Sequence, residues 1–171
     1  MPTITGHLLD ERNGLSGERK SFPITKVRVL PADRNIDGAP SGLAYTGPRT
    51  DVMNGMLDTG ADITRISNRV VRELTLPPVG DTSSDSADGS YTTTVHYFHI
   101  AFPDPNAPSP PAPEIAPAMW VVQKRLIGTK FLRDNSNFDV IVGMDILQMG
   151  RLFVDGPART VRLEFDDPAT R

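Results

Sequence analysis

Cysteine is missing from this sequence, tryptophan occurs once, and no apolar run is long. Without cysteine there is no disulfide framework, no thiolate metal site and no cysteine nucleophile, so nothing in the chain calls for an oxidising compartment. A reducing cytoplasm is the expected location. The most apolar segments, Met119 to Val122 and Phe138 to Met144, fall far short of the roughly 18 consecutive apolar residues of a spanning helix. The first 20 residues interleave Thr, His, Asp, Glu, Arg and Lys and lack the apolar stretch of a secretory signal. A soluble chain with no membrane partner is expected. Charge of one sign is scarce as well: 18 basic against 21 acidic side chains give a net charge of -3, and no run of Lys or Arg exceeds two residues. The basic stripe of a nucleic-acid binder is absent, and no nucleic acid is expected.

What the chain does have is punctuation. Its 171 residues suit one domain, and 14 Gly and 16 Pro separate short runs rich in Val, Ile, Thr, Tyr and Phe. That pattern predicts an all-β domain with tight connections. Strands are expected near residues 4–9, 23–30, 52–57, 91–102, 119–123, 139–142, 152–154 and 160–165. One short helix is expected over 67–74, with Ser67 as N-cap, Val70 and Leu74 on one face, and Pro77-Pro78 forbidding continuation. A second helical turn is expected over 145–149. Residues 31–48 read as a surface loop, and 103–117, with seven prolines, as an extended excursion that cannot join a ladder. Within the single domain, 1–50 supplies N-terminal strands and a loop, and 51–171 the core that carries the chemistry.

The most informative segment runs from Val52 to Thr64: Val-Met-Asn-Gly-Met-Leu-Asp-Thr-Gly-Ala-Asp-Ile-Thr. An apolar strand ends at Leu57 and delivers the Asp58 carboxylate at its tip, where Thr59 offers a hydroxyl and Gly60 lets main-chain N–H approach closely. Alone, Asp-Thr-Gly is a short signal that a strand-to-turn junction also satisfies. A second element changes its weight: Phe138-Asp139-Val140-Ile141-Val142-Gly143-Met144-Asp145-Ile146-Leu147, an apolar strand running into a glycine and a short helix. Between the two lies a candidate hairpin with Asp88-Gly89 at its tip.

On these residues the sequence resembles the retropepsin-like aspartic proteases, single-lobed relatives of pepsin. Asp58-Thr59-Gly60-Ala61-Asp62 matches that family's active-site motif, and Val140-Ile141-Val142-Gly143 with the following Met144-Asp145-Ile146-Leu147 matches its hydrophobic-hydrophobic-glycine element and helix. The resemblance spans roughly residues 52–165. It implies a closed β-barrel half with one or two short helices and a flap hairpin. It implies Asp58, Thr59 and Gly60 as catalytic residues, with Val142 and Gly143 supporting their loop. It also implies Ala61, Asp62, Asp88, Gly89 and Ser90 as substrate-binding residues. Asp62 reads equally well as a turn carboxylate capping nearby N–H groups. The flap departs from the retroviral pattern, with a single glycine near its tip and acidic residues at 81, 85 and 88.

In that family two carboxylates share one proton around a water molecule, without metal or other cofactor. This chain contains one Asp-Thr-Gly. Asp155-Gly156 lacks the middle residue and reads as a hairpin turn. The second carboxylate must then come from a second copy across a two-fold axis. The expected activity is that of an aspartic endopeptidase working as a homodimer on an extended peptide or protein. The alternative is a non-catalytic protein of the same fold that binds peptides or scaffolds an assembly. His96 and His99 lie three apart in an expected strand and so point to opposite faces, which disfavours a shared metal.

Overall fold

Most strands follow the short β-branched and aromatic runs, and several stop at proline or just before glycine, at Pro31, Pro103, Gly143 and Gly156. The computed structural model describes residues 3–12, 19–32, 48–86, 89–103, 119–121, 126–130 and 137–165. In chain order these hold β1 (Thr3–Arg12), β2 (Arg19–Pro31), β3 (Met53–Leu57), β4 (Arg65–Ile66), α1 (Asn68–Glu73), β5 (Pro78–Ser86) and β6 (Gly89–Pro103). They continue with β7 (Met119–Val121), β8 (Leu126–Lys130), β9 (Val140–Val142), α2 (Met144–Leu147), β10 (Gly150–Asp155) and β11 (Thr160–Phe165). The protein is thus mostly β, with two short helices among the described residues.

All eleven strands join one sheet in the order β10-β11-β1-β2-β3-β9-β4-β8-β6-β5, with β7 paired to β6 off that path. A closed barrel is the expectation from sequence; the path instead has two ends, β10 and β5, and one extra pairing between β2 and β6. The thirteen-residue β2 divides its length between two partners. Ile24 to Val27 pair with β3, and Arg28 to Pro31 pair with β6. Residues 3–12 and 19–31 are therefore built into the sheet, against β3, β6 and β11. Val29 N donates to Thr50 Oγ1 at 3.0 Å and Arg28 to Thr50 O at 3.2 Å, which fastens the segment entering β3 onto β2. Burial, and after it the neighbouring Arg49, lowers the Arg28 pKa, with Asp51 acting in the opposite direction.

The main core gathers Val27, Val29, Ile66, Val70, Phe98 and Ile100 with residues of β9, α2 and β11, and the Phe102 and Phe165 rings lie 5.4 Å apart. A smaller cluster of Ile24, Met56 and Phe138 covers another part of β2 and β3. Strand β3 is thus paired on both edges and buried almost throughout. That accounts for the apolar Met53, Met56 and Leu57 and fixes the point at which the chain leaves the core. Helix α1 begins as expected: Ser67 is its N-cap and accepts from Val70 N at 3.4 Å. It ends at Leu74, before Pro77.

Three strands were not expected from sequence. Strand β4 is two residues long, β8 carries Gly128 and Lys130, and β5 occupies the polar segment expected to be a flap arm. Helix α2 starts at Met144, one residue before the expected turn. The expected loops fall largely on 33–47 and 104–118, and Asp88 with them lies outside the described residues. No helix among the described residues is long and apolar enough to cross a membrane.

Candidate active site

Asp58 sits one residue beyond β3. Leu57, the last residue of that strand, pairs in parallel with Val142 of β9, and Asp58 N donates to Val142 O at 3.0 Å. The sheet thus extends its hydrogen bonding up to the carboxylate-bearing residue and stops there. The chain then turns sharply: Ala61 N donates to Asp58 O at 3.2 Å, and Gly60 N donates to the Asp58 Oδ1 carboxylate oxygen at 2.9 Å. A backbone donor two residues on fixes the plane of the carboxylate through a charge-assisted bond. Asp58 is half-buried, whereas Thr59, Gly60 and Asp62 are exposed.

Beneath this turn, a second layer of bonds holds the loop. Ala61 O accepts from Met144 N at 2.7 Å and Asp62 O from Asp145 N at 3.1 Å, so loop carbonyls satisfy N–H groups that open α2. The Asp145 carboxylate accepts from Thr64 N at 2.9 and 3.0 Å through its two oxygens, and from the Thr64 hydroxyl at 2.7 Å. That hydroxyl oxygen in turn accepts from Gly143 N at 3.1 Å. Thr64 is fully buried. Gly143 is where the two segments touch most closely. A Cβ there would stand 2.6 Å from the Ile63 carbonyl carbon and 2.8 Å from Ala61 O, backbone atoms with nowhere to go.

Asp139 performs a similar service one step further out. Its carboxylate accepts from Ser67 Oγ at 2.9 Å and from Arg69 Nε at 2.9 Å, and the Arg69 Nη2 completes a fork on the other oxygen. Ser67 N donates to Asp139 O at 2.8 Å. The start of α1 is thereby tied to the strand that flanks Asp58.

Strands β5 and β6 form an antiparallel hairpin whose register ends at Ser86 opposite Gly89. Gly89 has φ of +119°, a conformation that favours glycine. Ser90 Oγ donates to Asp85 across the ladder. Arg65 of β4, just after the Asp58 turn, links to this hairpin: its Nη1 donates to the Tyr91 hydroxyl of β6, and its guanidinium carbon is 5.8 Å from the ring centre.

Of the residues selected from sequence, Asp58, Thr59, Gly60, Ala61 and Asp62 share one turn, with Val142 and Gly143 directly beneath. Gly89 and Ser90 lie on the hairpin, and Asp88 is outside the described residues. Asp145 was not selected, although an acidic residue in the first turn of a helix is itself a start signal. Its partner Thr64 is 81 residues away in sequence, which no local pattern reveals. Asp155 lies in the turn after β10, where its Oδ1 accepts from Ala158 N at 2.9 Å. His96 and His99 are both buried in β6, and His96 Nδ1 lies 3.1 Å from Pro77 O. Among the described residues no three His, Cys, Asp or Glu side chains converge as a metal site. A hollow of about 690 Å³ lies along β10, β11 and β1, and its lining includes no residue of the Asp58 turn.

No protein-family model matches this sequence, and no curated protein does. Among solved structures, a retropepsin-like aspartic protease from Rickettsia conorii is similar with a TM-score of 0.44 and 13% identity, over 95% of this chain and 93% of that one.

Proposed function

We propose that this chain is an aspartic endopeptidase of the retropepsin type, active as a two-fold homodimer whose two Asp58 carboxylates share one proton around the attacking water. The observation that carries this reading is the Asp58 turn itself. A half-buried carboxylate stands at the end of a strand paired on both edges, oriented by the Gly60 N–H at 2.9 Å, with Thr59 and Gly60 exposed beside it. One chain supplies one such carboxylate, and a residue near a two-fold axis meets its own copy.

In the dimer the ionised carboxylate takes a proton from water while the protonated one donates to the scissile carbonyl oxygen. The water oxygen bonds to the carbonyl carbon, giving a tetrahedral diol and no covalent enzyme adduct. Collapse of the diol breaks the C–N bond as a proton passes to the departing amine. No cofactor takes part in this scheme. Thr59 reaches across the axis, Ala61 and Asp62 bind the backbone of an extended substrate, and Val142 and Gly143 hold the loop. The hairpin of β5 and β6, with Asp88, Gly89 and Ser90 at its end, acts as the flap that closes over substrate. Substrate adds as a strand with alternate side chains in pockets. The closed half-barrel belongs to the same proposal. Pairing of β2 with both β3 and β6 supports it, because the ladder that leaves β2 through β3, β9, β4, β8 and β6 returns to β2. A cysteine-free chain suits a reducing cytoplasm, where we place the enzyme.

The test is digestion of a peptide library read by mass spectrometry from acidic to neutral pH. The wild type is expected to cut internal peptide bonds, and Asp58→Asn to cut none while melting at the wild-type temperature. Undiminished cleavage by Asp58→Asn would falsify the assignment.

A further inference from the structure

Arg65 stands between Thr64 and Ile66, both fully buried, so strand alternation turns its side chain to the opposite face. The ladder identifies that face. Arg65 lies opposite Ile141 of β9, and Ile141 opposite Met56 of β3. Asp58 is two residues past Met56 and therefore on the same face. A strand spacing of about 4.8 Å and a rise of about 3.3 Å per residue put the Arg65 and Asp58 Cα atoms about 12 Å apart. An extended peptide rises by the same amount per residue, so the guanidinium stands beside the residues within about three of a bond held over Asp58.

The far end of the side chain is fixed by the hairpin. Arg65 Nη1 donates to the Tyr91 hydroxyl, and the guanidinium carbon is 5.8 Å from the ring centre. That neutral hydroxyl takes up one of the five guanidinium N–H donors and cancels none of the charge. Through β8, Arg65 and Val95 share a row, and Tyr91, four residues from Val95, is on the same face of β6. The acidic residues of the hairpin are turned the other way. Asp81 and Asp85 lie opposite Thr94 and Ser90, out of step with Tyr91 and Thr93, and so belong to the reverse face. The face shared with Arg65 carries Thr82, Tyr91 and Thr93 and neither of those acids. A hairpin that is acidic by composition thus shows the candidate site a neutral surface with a guanidinium at its foot.

We infer that Arg65 determines specificity, selecting peptides that carry Asp or Glu within about three residues of the cleaved bond. The substrate carboxylate docks on the guanidinium as a charge-assisted pair, for which the planar fork of arginine is suited. Two-fold pairing repeats Arg65 on the other side of the bond, so acidic residues are favoured on both flanks. This selectivity rests on the peptidase reading above and names the substrate class of that site.

The test takes one peptide that the wild type cleaves and places Glu, Gln or Lys in turn at each of the three positions on either side of the bond. Cleavage is followed at about pH 6, where a Glu side chain is ionised. At one or more positions the wild type should favour Glu over Gln in kcat/KM by at least about tenfold. Arg65→Lys should keep most of that ratio, Arg65→Gln should bring it near one, and Arg65→Glu should favour Lys. An arginine that only braces the hairpin would, when replaced, slow both peptides by the same factor, so a ratio unchanged in Arg65→Gln overturns the selection. The wild type decides without any substitution as well: a ratio near one at all six positions removes the selection and leaves the protease reading standing. If the wild type cleaves nothing, the protease reading falls, and fluorescence anisotropy of labelled Glu and Gln peptides reads the site instead. Tighter binding of the Glu peptide that Arg65→Gln abolishes upholds the selection; equal binding, or none, overturns it.

Discussion

At the scale of single residues, the candidate site depends on groups that touch no substrate in the proposed scheme. Gly143→Ala places a methyl group 2.6 Å from the Ile63 carbonyl carbon, and main chain cannot swing aside as a side-chain tip would. We expect a loss of about 1 to 3 kcal/mol in a denaturant titration, with peptidase activity falling further because the displaced segment carries Asp58. Asp145→Ala leaves the buried Thr64 N–H and hydroxyl without their acceptor, a loss of about 1 to 3 kcal/mol. Asp145→Asn keeps one acceptor oxygen and should lose less; equal losses in the two variants, measured by the same titration, would argue against a hydrogen-bonding role. The placement of Asp58 just past the end of a strand was legible in the sequence, because the apolar run stops at Leu57 and a turn-forming Asp-Thr-Gly follows. Asp145 was not, because its role exists only once two segments 81 residues apart are folded against each other.

At the scale of elements, legibility followed how far each segment is determined by itself. Helix α1 could be placed from Ser67, an apolar spacing of four and a proline stop, all local signals. Strand β5 could not, since Thr82, Ser83, Ser84, Asp85 and Ser86 have no apolar alternation, and its strand character comes from the ladder with β6. The two-residue β4 is likewise a strand through β9 and β8, and the Gly128-containing β8 through β6 and β4. Removing the α1 cap with Ser67→Ala should lower stability by about 1 to 2 kcal/mol, because the same hydroxyl also bonds Asp139. Thermal melting of that variant measures it. The Arg65 and Tyr91 pair bridges β4, which follows the Asp58 turn, to the hairpin. Tyr91→Phe keeps the ring and removes the acceptor, so if the hairpin serves as the flap, KM should rise severalfold with kcat little changed. Steady-state kinetics decide: an unchanged KM would show that the bridge does not position the flap.

At the scale of the whole molecule, the proposed chemistry turns on pairing: it needs two carboxylates, and the sequence carries one Asp-Thr-Gly. Residues 3–12 and 19–31, which the motif resemblance did not reach, supply two long strands of the sheet, so deletion of residues 1–12 is expected to unfold the protein and not to activate it. Circular dichroism of the truncated chain checks this. Two-fold assembly is the claim on which the catalytic account stands, and mixing tests it most directly. Wild type is combined with a ninefold excess of Asp58→Asn and peptide cleavage is followed after exchange of subunits. Random pairing leaves most wild-type chains in mixed dimers with a single Asp58, so activity per wild-type chain should fall to about one tenth. Activity unaffected by the inactive variant, at protein concentrations where subunits exchange, would contradict a site shared between two copies.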